Sequence, residues 1–108
     1  MQRGDVCWVL LDPPDKRRPA VILNRDSAIG YLAAITVAPI TVTLRQLITQ
    51  VPLGPGDGMP DGCAANLDSI QTMRKAHIGS RIATLGVSKP AQIDRALLLA
   101  SGMERCGR

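Results

Sequence analysis

The apolar residues of the chain fall into short runs that Pro, Gly and Asp interrupt, a pattern that predicts strands more than long helices. Val6–Leu11 and Ala20–Leu23 are two such runs, and both predict buried strands. Asp12–Asp15 contains two prolines and must turn, so the two strands form a hairpin. Pro19 is expected at the first position of the second strand. The three cations of Lys16–Arg18 are therefore expected in the loop that precedes it.

The middle of the chain predicts further strands. Leu32–Ala38 is apolar and stops at Pro39, which predicts a third strand. Ile40–Leu44 alternates apolar and hydroxyl residues and predicts a half-exposed strand. Thr49–Leu53 is expected at a sheet edge, because Pro52 is tolerated only where its side of the ladder is unpaired.

Turn residues dominate the stretch from Gly54 to Gly62, which predicts a loop. Cys63–Asp68 and Ser69–Met73 then predict two extended segments, followed by a turn at Gly79 and a short strand at Ile82–Leu85.

The last element is predicted to be a helix. Ser88 is a candidate N-cap, Pro90 suits the first turn, and Gly102 suits the C-terminal cap. An apolar face recurs at helical spacing between them, at Ile93, Ala96, Leu97 and Ala100. Several short strands and one closing helix predict a mainly β fold, a small antiparallel barrel with helical decoration.

Composition narrows the classes of partner. The 108 residues predict a single domain over 1–108, and a net charge of +4 with a pI near 9.4 favours a polyanionic partner. The aromatic content is 2%, whereas OB-fold and RRM proteins stack bases on several aromatic side chains. We therefore expect neither of those single-strand-binding folds.

Cysteine and histidine counts argue against a metal centre. Cys7, Cys63 and Cys106 are an odd number without paired spacing, and His77 is the only histidine. These counts predict neither a disulfide framework nor a zinc site, and they favour the cytoplasm. No apolar run is long enough to span a membrane. The usual hydrolase and nucleotide-binding motifs are absent from the sequence.

The remaining candidates for chemistry are Arg18, Thr41 just after Pro39, and the carboxylates of Asp12, Asp15 and Asp68. On the pattern alone, the cations before the second strand are more often a solvated turn than a site. The order of several segments along the chain favours a functional site over a solvated turn. These segments are Arg3–Val6, Arg18–Leu23, Val37–Thr41, Asn66–Thr72, and Ile93–Leu97 followed by Gly102.

Together these segments resemble the MazF/PemK family of toxin endoribonucleases over nearly the whole chain. The resemblance implies an SH3-like β-barrel, a homodimer, and a metal-independent, cofactor-free nuclease that cuts single-stranded RNA at specific sequences. It also implies a cognate antitoxin, which we expect to be acidic. The catalytic pair of the family falls on Arg18 and Thr41, and its RNA-contacting residues of the later strands fall on Asp68 and Ser69.

General chemistry is compatible with that role. RNA cleaves itself when its 2′-OH attacks the adjacent phosphate, so the protein must fix the geometry and stabilise charge on the phosphoryl oxygens. The planar guanidinium of Arg18 suits the phosphate, and Thr41 can donate a hydrogen bond. Asp12 or Asp15 is the candidate proton acceptor, and Lys16 and Arg17 are expected to follow the flanking phosphates.

Two alternatives stay open on the sequence. The same fold occurs in CcdB-type toxins, which bind and poison DNA gyrase without cleaving nucleic acid. The second alternative is an inactive homologue that only binds an antitoxin. The presence of both Arg18 and Thr41 favours the nuclease.

Overall fold

The computed structural model describes residues 1–11 and 16–102, which form one antiparallel sheet with a helix packed against it. The strands are β1 (Asp5–Leu11), β2 (Lys16–Ile22), β3 (Ala34–Thr41), β4 (Gln50–Leu53), β5 (Cys63–Asn66), β6 (Gln71–Arg74) and β7 (Ile78–Thr84). The helices are α1 (Asp26–Ile29) and α2 (Lys89–Ser101), with single 3-10 turns at Pro55–Asp57, Leu67–Ser69 and Lys75–His77.

The strand order is β4-β5-β3-β2-β1-β7, and β6 pairs with the first half of β3. This arrangement confirms the predicted mainly antiparallel fold with a C-terminal helix. The β1–β2 hairpin is also confirmed, as is the position of β4 at an edge of the sheet, because β4 pairs only with β5 in the described part of the chain.

Two apolar clusters cover opposite faces of the central strands. Val21 and Ala38 belong to one cluster, the helix-side core, which also contains Ile93 and Ala96 of α2. The residues that immediately precede them, Ala20 and Val37, belong to the other cluster, the far-side core. Successive side chains of a strand point to opposite faces, so β2 and β3 are buried on both.

The predicted closing helix is confirmed. Ile93 and Ala96 are buried, and Leu97 and Ala100 pack partly against the helix-side core. Gly102 ends the helix with a φ of 78°, a left-handed conformation that glycine adopts without strain.

The prediction that the cations lie in a loop is wrong. Lys16, Arg17 and Arg18 are part of β2, where they pair with Leu11, Leu10 and Val9. Pro19 therefore lies inside the strand. It is tolerated there because the β2–β3 ladder begins only at Ala20, which leaves position 19 with a ladder partner on one side.

The prediction that Pro39 ends the third strand is also wrong, since β3 continues to Thr41. Along one edge of β3, the pairing with β6 ends at Val37 and the pairing with β5 begins at Ile40. Pro39 falls in the gap between those two ladders, where its missing N–H breaks no strand pairing.

Residues Ile40–Leu44 do not form a separate strand. Only Ile40 and Thr41 have partners in β5, and the chain then leaves the sheet. Thr41 Oγ1 accepts a hydrogen bond from Thr43 N at 3.0 Å, which turns the backbone locally and competes with a continued ladder. Gly79 likewise lies in β7 and not in a turn, because the chain has already reversed in the 3-10 turn at Lys75–His77.

Candidate active site

Arg18 and Thr41 lie opposite each other where the central strands fray at one end of the sheet. The last pair of the β2–β3 ladder joins Ala20 to Pro39, and each candidate lies two residues beyond it. A step of two residues keeps a side chain on the same face, so the antiparallel register brings both toward one site. Arg18 is exposed and Thr41 is half-buried.

The two side chains open onto a shared cleft of about 330 Å³. The loop between β4 and β5 supplies one wall, and the end of β3 with the residues after it supplies another. The remaining lining residues are Pro19, Ile40, Val42, Thr43, Met59, Pro60 and Cys63. The cleft therefore combines apolar walls with one guanidinium and two threonine hydroxyls, each of which can donate a hydrogen bond.

Thr41 is oriented by its own turn. Its Oγ1 accepts the hydrogen bond from Thr43 N, which leaves the hydroxyl proton available to a ligand in the cleft. The guanidinium of Arg18 has no carboxylate within salt-bridge distance among residues 1–11 and 16–102. Both groups can consequently offer donors to an anion such as a phosphoryl group.

The cleft also contains a thiol that the sequence analysis did not connect with the site. Cys63 is buried, and its Sγ donates to Pro60 O at 3.1 Å. Burial raises the pKa of the Cys63 thiol, and the carboxylates of Asp57 and Asp61 raise it further. A protonated thiol is a poor nucleophile, so Cys63 is a wall residue and not an attacking group.

The cleft walls could not be identified from local patterns. Met59, Pro60 and Cys63 reach the site only because β5 pairs with the end of β3, with Thr41 opposite Ala64. That pairing joins residues more than twenty positions apart in sequence, and no local signal marks it.

The other predicted site residues divide into three groups. Asp12 and Asp15 lie outside the described residues. Lys16 and Arg17 are exposed on β2, and Arg17 lies on the opposite face of the strand from Arg18. Asp68 and Ser69 are exposed in the 3-10 turn between β5 and β6, and they are not among the residues that line the cleft.

Asp68 and Ser69 have local structural partners. Thr49 Oγ1 donates to Asp68 Oδ2 at 2.6 Å, and Asp68 N donates to Asn66 Oδ1 at 3.1 Å. Asn66 Nδ2 donates to Ser69 Oγ at 3.2 Å. These bonds fix the bend that takes the chain from β5 to β6, so both residues have a structural role independent of any RNA contact.

The described ranges contain no cluster of three or more His, Cys, Asp or Glu side chains arranged to hold a metal ion. Within the same ranges, neither helix has the length and apolar character needed to cross a membrane.

Comparison with known proteins identifies the family of this architecture. Residues 2–100 match the model of the PemK-like, MazF-like toxins of type II toxin–antitoxin systems. The chain is 38% identical over 104 residues to the probable endoribonuclease MazF5 of Mycobacterium tuberculosis H37Rv, covering 95% of this chain and 94% of that protein. It is 35% identical over 83 residues to endoribonuclease MazF3 of the same organism, covering 77% and 81%.

Solved structures agree with the sequence relatives. The Mycobacterium tuberculosis toxin MazF-mt6 superposes with a TM-score of 0.83 at 32% identity, covering 91% of this chain and 96% of that one. A mycobacterial endoribonuclease in complex with its cognate antitoxin superposes with a TM-score of 0.85 at 26% identity, covering 95% and 96%. These matches confirm the predicted barrel class and give no support to the CcdB-type alternative.

Proposed function

The chain belongs to the PemK-like, MazF-like toxins of type II toxin–antitoxin systems, and we propose that it is a sequence-specific endoribonuclease that cleaves single-stranded RNA without a metal ion. The proposed toxin domain spans residues 1–108, of which the family match covers 2–100. The observation that carries the proposal is the shared cleft of Arg18 and Thr41, two side chains that can donate to an anion in a cleft with no Asp or Glu among its described lining residues.

In the proposed reaction the 2′-oxygen of the substrate attacks the adjacent phosphorus while the bond from phosphorus to the 5′-oxygen breaks. The proton of the 2′-OH passes to a base, for which Asp12 and Asp15 are the candidates, and the leaving 5′-oxygen takes up a proton. The products are a 2′,3′-cyclic phosphate and a 5′-hydroxyl. No water molecule and no metal ion enters this balance.

Arg18 and Thr41 act on the charge that grows during this step. The guanidinium carries a positive charge spread over a planar group, and its fork matches two phosphoryl oxygens. The Thr41 hydroxyl donates to the same group. The apolar walls lower the local dielectric, which strengthens both interactions. A guanidinium cation has N–H donors and no acceptor, so Arg18 is assigned to charge stabilisation and not to the base.

We propose that the protein acts as a homodimer. Between β3 and β4 the chain exposes several apolar side chains: Val42, Leu44, Leu47 and Ile48. Ile48 also borders a groove between β4 and α2, which Gln92, Arg95 and Leu99 line on the helix side. A second copy that covers this surface would remove it from water, which is the main driving force of stable dimers.

We propose two further properties of the protein in the cell. A cognate antitoxin neutralises the toxin through an acidic segment that competes with RNA for the cationic surface around Arg18, as the net charge of +4 favours. The protein acts in the cytoplasm, where its RNA substrates are translated and where the buried free thiols of Cys7 and Cys63 stay reduced.

The decisive experiment uses purified protein and a long RNA of defined sequence in buffer with EDTA. We expect cleavage at a small set of related sequences, with a 5′-hydroxyl on one fragment at each cut. Complete absence of cutting, or cutting that requires added Mg²⁺, contradicts the proposal.

A further inference from the structure

A second concave surface lies on the other face of the β1–β2 hairpin from the Arg18 side chain. It has a volume of about 220 Å³, and Trp8, Arg17 and His77 are among the residues that line it. Residues that carry an indole, a guanidinium and an imidazole therefore border one depression. Trp8 is the only tryptophan of the chain, and the chain has no phenylalanine.

The hairpin register holds two of these groups together. Trp8 pairs with Pro19 and Leu10 pairs with Arg17, so Trp8 and Arg17 are diagonal neighbours on the same face. The guanidinium carbon of Arg17 lies 5.1 Å from the centroid of the Trp8 ring, within the range of a cation–π contact. Arg17 is exposed and Trp8 is half-buried, so a ligand can reach the guanidinium from solvent.

Gly79 lies beside this pair. A Cβ atom at position 79 would lie 3.5 Å from Trp8 Cβ and 4.0 Å from Arg17 Nη2, both ordinary van der Waals distances. His77 ends the 3-10 turn before β7, and Gly79 is the second residue of β7, which pairs with β1. The depression is therefore formed by three segments of the sheet and not by one mobile loop.

We propose that this surface is a stacking subsite for an unpaired base that flanks the cleavage site. The base rests on the outer face of the Arg17 guanidinium, with the Trp8 ring behind it and His77 at the border. Guanidinium planes and aromatic rings are the groups on which proteins stack unpaired RNA bases. The positive charge of Arg17 also favours RNA over an uncharged ligand.

The subsite lies close to the proposed catalytic cleft. Arg17 and Arg18 are adjacent in β2 and exposed, and their side chains leave opposite faces of the same strand end. A nucleic acid strand that crosses this end of the hairpin can present a phosphate to Arg18 and a flanking base to Arg17. This inference rests on the proposed function for the identity of its ligand.

A pair of Arg→Lys variants separates stacking from charge. Arg17→Lys keeps the positive charge but removes the planar guanidinium group. Arg25→Lys is the matched control, because Arg25 lies beyond the other end of β2 and contacts an exposed aromatic side chain there, with Nη2 3.0 Å from Tyr31 Oη. The probe is a single-stranded RNA that contains a mapped cleavage site with a 2′-methoxy group at the cut.

We expect Arg17→Lys to raise the Kd for this probe about five- to tenfold, in line with the loss of one base–side chain stack. Arg25→Lys should bind like the wild type. Replacing the bases of the probe one at a time by abasic nucleotides should reveal one position whose loss weakens the wild type but has little further effect on Arg17→Lys. The fluorescence of Trp8 should change with the intact probe and less with that abasic one.

Equal Kd values for Arg17→Lys and wild type, or an abasic profile that does not depend on Arg17, would overturn the stacking subsite. Trp8 fluorescence that responds to an acidic peptide but not to RNA would also overturn the stacking subsite, and would assign the surface to a protein partner. Cleavage by the wild type is measured separately on the unmodified RNA. Its absence would refute the nuclease function, whereas the ratio of the two Kd values tests the subsite.

Discussion

Arg18 and Thr41 each lie two residues beyond the last ladder pair of β2 and β3, so the sheet register places them across from each other. Because Arg18 is exposed and Thr41 is half-buried, truncating either side chain removes little buried surface. We expect Arg18→Ala and Thr41→Ala to fold normally and to lose about 10²–10³ in cleavage rate, the usual cost of removing a donor to a charged transition state.

Conservative variants sharpen this first prediction. Thr41→Ser keeps the hydroxyl and should retain much more activity than Thr41→Val, which has the same shape without the donor. Cleavage rates on a defined RNA, with circular dichroism as the check on folding, decide the matter. A wild-type rate for folded Arg18→Ala would refute the assignment of the site.

The chemistry makes a second prediction about substrates. An RNA with a single 2′-deoxy or 2′-methoxy group at the cut position should bind with a Kd near that of the unmodified RNA and remain intact, because the attacking oxygen is missing or blocked. End analysis of the normal reaction should find a 2′,3′-cyclic phosphate or the 3′-phosphate to which it opens. Cleavage of the 2′-deoxy substrate at a comparable rate would exclude attack by the 2′-OH.

The exposed apolar surface before β4 makes a third prediction. The side chain of Ile48 is 71% exposed, so Ile48→Glu should leave the fold of one copy intact and yield monomers at micromolar concentration, where the wild type is a dimer. Val87→Glu is the matched control, since Val87 is fully exposed. Light scattering that finds the wild type monomeric throughout this range would contradict the dimer.

Asp57 is the basis of a fourth prediction, on stability. Its buried carboxylate accepts hydrogen bonds from Gly54 N at 3.1 Å and from Gly86 N at 2.8 Å, which ties the loop before β5 to the segment before α2. Asp57→Ala leaves both donors without a partner and should lower the free energy of unfolding by about 2–4 kcal/mol. The exposed neighbour Asp61 is the control, and Asp61→Ala should cost less than about 0.5 kcal/mol in urea titrations.

The two described thiols predict how stability depends on pH. Burial raises the pKa of the Cys7 thiol, with a further contribution from Asp5, and burial also raises that of Cys63. A pKa that is higher in the folded than in the unfolded state stabilises the fold fully below the ordinary thiol value of about 8.5 and progressively less as the pH rises above it. The free energy of unfolding should therefore fall above that pH, and it should fall less steeply in the variant with both residues changed to Ala.

The sequence predicted the elements whose signals are local. The β1–β2 hairpin follows from two apolar runs around paired prolines, and α2 follows from its apolar spacing and Gly102. The sequence failed at Pro39 and Pro19, because a proline inside a strand is tolerated when the neighbouring ladder has a gap, and only the tertiary pairing reveals the gap.

The candidate site was predictable in a different way. The pattern around Arg18 alone favoured a solvated turn, and only the resemblance to a family made a catalytic pair of the two candidates Arg18 and Thr41. The walls formed by Met59 and Cys63 depend on the pairing of β5 with β3, which has no local signature. The contact of Arg17 with Trp8 depends in turn on the exact register of the hairpin.

That register has one more consequence, for insertions and deletions. Arg17 and Arg18 have identical side chains, and only odd or even position along β2 decides which of them enters the cleft and which rests on Trp8. Adding one residue between Pro19 and Ala20 would leave the buried end of β2 in place and exchange the faces of the two arginines. The hydrophobic core fixes the register of β2, and that register gives different chemical roles to two identical side chains. A chain with one extra uncharged residue at this point would keep its net charge and the buried end of β2, and still lose its activity.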